Sequence, residues 1–441
     1  MIGSLARAWF GDFTKEELKK FVFLAFIFAF TIGVYWLLRA TKGGAFAHIV
    51  GMANQPFAKW VSLMVVFPLV IFYSFLVDKF RREKIFYALS AIYSITAIAF
   101  AVFFYFNWDS FQASAWNFSG WLFYVYVESF GSLMVALFWA FAADTSTPES
   151  AKKGYTILAI GAQIGAFVGS MIVVRFAKTL GTSTVVGFAA IGIAMIGVMV
   201  YLFMSVIPAD QLVGYQVKEK KDVKKKKPKI SFGEGLHLML SQPYLLGIFV
   251  VVSVFEVIVT IFDFRFQMLA SKAISNSNEL TSYLASYGAY VAIVALVCLV
   301  LGIGNIGRKL GLTFSLVMLP VIIAVEVFVL NYSLSLGVAF WIMVLSKAIN
   351  YALNQPAKEQ LYIPTSRDAK YKSKAWIEMF GSRSSKAFGA GVNVVGKVTS
   401  QNVFILISMV TSLGLCGLWF FVALYLGKTN KKAVEENKVV C

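Results

Sequence analysis

Charge, histidine and cysteine are all scarce in this 441-residue chain, and each shortage removes a class of protein. Asp, Glu, Lys and Arg make up only 14% of it, too little to cover the surface of a soluble protein of this length. The two histidines, His48 and His237, stand far apart, so neither reads as a metal ligand or a catalytic base. Cys298, Cys416 and Cys441 have neither metal nor disulfide-framework spacing. The stretch "GSRSSKAFGAGVN" (381–393) has no glycine before Lys386 and no strand signal, which excludes a phosphate-binding loop of the Walker type. There is no G-x-S-x-G elbow and no histidine-based acid/base pair. An enzyme is therefore not expected, nor a resident cofactor. A cleavable signal is also missing: "MIGSLARAWFGDFTKEELKKF" lacks a short apolar core with a small-residue cleavage site. It reads as a cytoplasmic interfacial helix with a capping box, Thr14 with Glu17.

What is abundant is apolar. Hydrophobic residues make up 59% of the chain and its mean hydropathy is +0.75. A helix needs roughly 20 apolar residues to cross a bilayer core, and about twelve such segments run from 20–41 to 402–426. The longest polar stretch, "YQVKEKKDVKKKKPKI", separates the sixth from the seventh. The expected architecture is an all-α polytopic membrane protein. Residues 1–207 form one six-helix half, 208–242 a basic cytoplasmic linker, and 243–441 a second half with a short cytoplasmic tail.

Lys and Arg concentrate on the side that carries the termini, the linker and the even-to-odd loops, whereas "NWDSFQASAWNFSG" and "NYSLSLG" hold none. Both termini are therefore expected in the cytoplasm. The net charge of +18 lies beside anionic lipid and does not point to nucleic acid. The halves echo each other: "DKFRREK" answers "GNIGRKLGL", and "DTSTPESAKKGY" answers "NQPAKEQLYIPTSRDAKYKSKAW". Parallel halves are the pattern of major-facilitator-like carriers. Gly161, Gly165 and Gly169 form a four-residue stripe that reads as close helix packing.

The informative residues are charges inside apolar spans. Arg39 and Lys42 share a face of the first span, Glu128 lies in the fourth, Glu256 in the seventh and Lys347 in the tenth. The eleventh carries Glu378, Arg383 and Lys386. Four-residue steps put Glu378, Ser382 and Lys386 near one stripe, bordered by Arg383, Gly389 and Asn393. Such a face should line the bundle interior or a wet cavity. Interhelical salt bridges would account for any one of these charges. Together, however, the cations outnumber the acids, and an excess of buried cations needs a counter-anion. A bound polyanion, held bidentately by Arg and as a point charge by Lys, would supply it. Asp263, Arg265 and Glu326 read as interfacial pairs.

The run "NYALNQPAKEQLYIPTSRDAKYKSKAWIEMFGSRSSKAFGAGVN" resembles the signature of the bacterial and plastid nucleotide transporters, the ATP/ADP translocase family. "LLRATKGG", "VESFGSLMVALFWAFAADTSTPESAKKGY" and "NELTSYLASYGAY" agree with it. The resemblance implies a twelve-helix carrier that exchanges nucleotides across a membrane. By motif, Lys42, Glu128, Glu256 and Lys386 fall on charges that matter for transport in that family. Two places depart from its pattern: Gly43 and Gly44 follow Lys42 where an acid is usual, and "NQPAKE" stands where "FDPTKE" is typical.

The expectation is thus ATP/ADP exchange by alternating access of two halves about a central site. Arg39, Lys42, Lys347, Arg383 and Lys386 would bind phosphates, with Asn393 bordering the site. Glu128 and Glu256 would pair with the cations when the site is empty. Tyr124, Tyr126 or Trp139 would serve the base, although interhelical packing explains each. The alternatives are a carrier of another nucleotide, of NAD or of another organic anion, with or without proton coupling, and more remotely a non-transporting receptor or scaffold. A monomer in a bacterial inner membrane is expected.

Overall fold

The computed structural model describes residues 14–146, 148–208, 212, 232–301, 310–333, 335–366, 373–374, 376–436 and 438–441. Most of the expected N-terminal interfacial helix, the lysine-rich linker and the 8–9 loop lie outside them. Among the described residues the chain is helical throughout, with no strand. The crossing helices are α1 (Lys15–Ile49), α2 (Gln55–Lys79), α3 (Arg82–Asn107) and α4 (Phe118–Asp144). The helical run Pro148–Val206 breaks at Gly181, where φ is 80°, and supplies α5 before the break and α6 after it. Then come α7 (Pro243–Ala273), α8 (Ser277–Val300) and α9 (Leu312–Tyr332). The α10 helix (Leu336–Ile349) continues through a π-turn, Asn350–Asn354, into Gln355–Leu361. The α11 helix starts as a π-turn, Trp376–Gly381, and runs on as Ser382–Val398; α12 is Gln401–Glu435.

Ten described helical segments are long and apolar enough to cross a membrane. One of them, Gly154–Val206, contains the Gly181 break and so gives two spans. The α11 helix, 17 residues from Ser382 to Val398 with a polar face, is not among them. The chain is a multi-pass membrane protein. Ile95, Met64 and Phe106 expose large apolar surface, as residues facing lipid must.

The start of α1 is fixed by the expected capping box. Glu17 N–H donates to Thr14 Oγ1 at 3.1 Å, and Thr14 N–H donates to Glu17 Oε2 at 3.2 Å. These bonds satisfy two of the donors that a helix start leaves without intrahelical partners. The glycine stripe on α5 lies against α1. A Cβ at Gly161, Gly165 or Gly169 would stand 2.8, 2.1 or 2.0 Å from the carbonyl oxygen of Ala25, Ala29 or Gly33. No side chain fits, so the two backbones touch, which is the packing reading of the stripe.

The helices gather into two compact units that interleave in sequence. One comprises Met1–Gly51, Met64–Lys227 and Ile274–Ala292; the other comprises Met52–Leu63, Pro228–Ala273 and Ile293–Cys441. Within the first unit, α1 packs against both α4 and α5, and stacked Phe28 and Phe138 (ring centroids 4.1 Å apart) fill the α1–α4 seam. Within the second, α7 is flanked by α10, α11 and α12. Gly389 on α11 sits so close to α7 that a Cβ would lie 2.7 Å from the Val257 carbonyl oxygen.

Candidate functional site

In the first unit the charges cluster where α1 meets α4. The Lys42 ammonium bonds the Glu128 carboxylate and lies 4.2 Å from the centroid of the Tyr124 ring. Both attractions act on one ammonium in partly buried surroundings, the second through the negative face of the ring. One turn earlier, the Arg39 guanidinium lies 5.1 Å from the Trp36 ring and donates to the Tyr35 hydroxyl at 3.5 Å. The result is two cations on an aromatic shelf with the Glu128 carboxylate held against Lys42. Ser132 Oγ donates to the Glu128 backbone carbonyl at 2.6 Å, which fits that serine into the helix turn.

The α1 helix does not end near Lys42, as its apolar run suggested, but continues to Ile49. Gly43 and Gly44, where the family signature expects an acid, are therefore helical. A Cβ at Gly44 would stand 1.8 Å from Thr281 Oγ1, so α1 and α8 pack closely at this glycine.

The second unit holds its own lysine–glutamate pair. Lys386 Nζ on α11 lies 3.7 Å from Glu256 Oε2 on α7, with the lysine side chain half-exposed. Lys347 on α10 is buried, its ammonium 5.3 Å from the Phe255 ring centroid. Arg383 is half-buried on α11. Asn393 is fully buried and donates from Nδ2 to the Thr260 carbonyl at 3.1 Å, so it ties α11 to α7. The structure brings Lys42 to Glu128 and Lys386 to Glu256, and places Asn393 in a helix seam.

Glu378 departs from the expected stripe. It lies in the π-turn Trp376–Gly381, where i→i+5 bonding widens the helix and breaks the four-residue phase toward Ser382 and Lys386. It pairs with Lys374 at 3.7 Å, and Lys374 also bonds Glu359 at 2.6 Å. Burial works against the charged Lys374 ammonium, but Glu378 and Glu359 outweigh it and hold the pKa above its ordinary value.

Sequence reasoning missed several charged residues. Lys358, taken for part of a loop, is buried, because the π-turn Asn350–Asn354 carries α10 on through Pro356. Arg82 pairs with Asp144 at 3.2 Å, joining the start of α3 to the end of α4. Each of the two lies in a short charged loop, "DKFRREK" or "DTSTPESAKKGY", and nothing in the spacing of either links it to the other. Lys59 pairs with Asp263 at 3.3 Å. Asp263 and Arg265 do not form a pair with each other: Arg265 donates to the Leu330 carbonyl at 3.2 Å and to the Asn331 side chain, capping the end of α9. Glu326 accepts from Ser346. Of the aromatics, Tyr126 is buried with its hydroxyl on the Tyr93 carbonyl at 2.8 Å. Trp139 packs on Phe28 and Tyr155. Of the three aromatics expected near the base, Tyr124 lies against a cation, Lys42.

Apolar spans gathered into two compact units, with a lysine–glutamate pair in each, give an all-α polytopic, major-facilitator-like fold. The nucleoside transporter NupG has this fold: the two match with a TM-score of 0.64 at 11% identity, over 92% of this chain and 99% of that one. The sequence profile of the TLC ATP/ADP transporter matches residues 4–116, 106–336 and 325–429, and the chain belongs to that family. Among its relatives, ADP,ATP carrier protein 4 of Rickettsia bellii is 23% identical over 96% of this chain and 92% of its own. ADP,ATP carrier protein 1 of Chlamydia muridarum is 24% identical over 91% and 87%.

Proposed function

We propose that this chain exchanges ATP and ADP across a bacterial inner membrane by alternating access, as a monomer with both termini in the cytoplasm and without a bound cofactor. The observation that carries the reading is the pairing of Lys42 with Glu128 and of Lys386 with Glu256. A nucleotide phosphate competes with a carboxylate for the same ammonium. Each glutamate thus holds a lysine's charge while no substrate is bound and gives it up when phosphate arrives. Arg39, Lys347 and Arg383 add positive charge around the two pairs, and the Tyr124 ring supports Lys42 from below. The family and the printed names of the relatives, ADP,ATP carrier proteins, support the choice of nucleotide. The lysine-rich cytoplasmic face would sit against anionic lipid.

Exchange follows if a carrier with its lysines returned to glutamate reorients less readily than one with bound phosphate, because a ligand shifts an equilibrium only by its differential affinity for the two states. The test is uptake of labelled ATP, ADP, GTP, UTP, CTP and NAD by intact bacterial cells expressing the chain, followed by a chase with unlabelled nucleotide. Saturable ATP or ADP uptake with chase-driven efflux is expected. Uptake of none of the six, with the protein confirmed in the membrane, would overturn the reading.

A further inference from the structure

The α2 helix is continuous from Gln55 to Lys79, yet its first part belongs to one compact unit and the remainder to the other. The change falls between Leu63 and Met64. Before it, Gln55, Pro56, Ala58 and Ser62 are buried; after it, Met64 is 74% exposed. Two polar contacts fasten the first part. Lys59 Nζ lies 3.3 Å from Asp263 Oδ2 on α7, and the same oxygen accepts from Gln267 Nε2 at 2.8 Å. Trp60 Nε1 donates to the Ala387 carbonyl on α11 at 2.7 Å, one residue from Lys386.

Two further features suit a segment that leaves as well as docks. Gln55 Oε1 and Ser62 Oγ are buried and meet no hydrogen-bond partner among the described residues. A buried polar atom without a partner costs free energy that water would return on undocking. The helix is also weakened at the point where it changes units. Pro68 lies inside it and has no N–H to give the carbonyl four residues back, which is that of Met64. A docked face, polar atoms that gain partners on release, and a missing ladder bond at the boundary therefore fall within fourteen positions, 55–68.

We propose that residues 55–63 are a detachable latch: it is fastened to α7 and α11 by Lys59–Asp263 and by the Trp60–Ala387 bond, hinges at Met64–Pro68, and is released during the transport cycle. The last clause rests on the carrier reading above. The docking and hinge stand on the geometry alone.

The test uses the full chain reconstituted in liposomes, with the three native cysteines changed to serine and Ser62→Cys as reporter. Ser62 is buried and makes no bond that the change would remove. A water-soluble maleimide reads its exposure. Slow labelling is expected in this parent, and Asp263→Asn or Lys59→Ala should speed it about fivefold by shifting the docked population. The charge exchange, Lys59→Asp with Asp263→Lys, should bring the rate back toward the parent and so separates latch release from misfolding. Pro68→Ala, by restoring the missing bond, should slow labelling below the parent. Fast labelling of the parent, or a rate untouched by Asp263→Asn and Lys59→Ala, would overturn the latch. Labelling does not depend on which solute is carried. Absence of nucleotide exchange in the same liposomes therefore counts against the transport reading and leaves the docking result standing.

Discussion

Lys42 and Lys386 are not equivalent, although each faces a glutamate. Lys42 is bonded to Glu128 and backed by an aromatic ring, whereas Lys386 is half-exposed and only within ion-pair distance of Glu256. Hydrogen bonds to charged groups contribute about 1.5–3 kcal/mol, so Lys42→Ala or Lys386→Ala should lower ATP uptake by roughly ten- to a hundredfold with membrane insertion intact. Transport assays beside immunoblots of the membrane fraction would check this. Arg383→Ala should lower uptake in the same direction, and normal transport by Arg383→Ala and Lys386→Ala together would make these cations structural. Glu128→Gln keeps the shape but removes the charge that holds Lys42. It should tighten nucleotide binding at equilibrium and slow exchange, read as opposite changes in binding affinity and turnover. At this scale the sequence was partly legible. Intramembrane charge is rare enough that Lys42, Glu128, Glu256 and Lys386 stood out against an apolar background. Lys358 and Lys59 did not, because each lies beside a polar stretch that looks like a loop until a π-turn or a docked helix end is seen.

The α1 and α5 helices meet backbone to backbone at the glycine stripe, which makes a clean prediction at the scale of elements. Gly165→Ala would put a Cβ 2.1 Å from the Ala29 carbonyl oxygen. Overpacking of this kind costs about 1–3 kcal/mol, so the variant should unfold at lower temperature in detergent than the parent. Gly187→Ala has nothing within 4 Å of the new Cβ and should hold or raise the unfolding temperature, since alanine favours a helix over glycine by about 0.8–1 kcal/mol. The stripe was readable from its four-residue spacing. The two π-turns were not, because a widened turn leaves the apolar pattern almost unchanged and shows itself only in the phase of the next helical turns. That is why Glu378 was placed on the Lys386 face and is instead turned toward Lys374.

For the whole molecule, apolar length marks ten segments among the described residues, one of which holds two of the expected spans. The span expected over 375–397 is not among those ten, because the polar face of α11 dilutes its apolar content. The corner expected between 155–175 and 183–207 falls at Gly181, which bends the chain without a polar loop, and Asn278 accepts from the Thr182 N–H at 3.0 Å. If exchange is obligatory, cells preloaded with labelled ADP should retain it in plain buffer and release it when ATP is added outside. Release that is equal without external nucleotide would point to a facilitated carrier.

The pairing of Lys42 with Glu128 also bears on how the protein is made. The partner carboxylate is synthesised 86 residues after the lysine, a delay of roughly 4–17 s at ribosomal rates of about 5–20 residues per second. During that time the far end of the first helix carries Arg39 and Lys42 before the acid that will neutralise one of them exists. The chaperoning of these two charges by the insertion machinery, or their retention at the water boundary until the fourth helix arrives, is thus a requirement of biogenesis set by the pairing of Lys42 with Glu128.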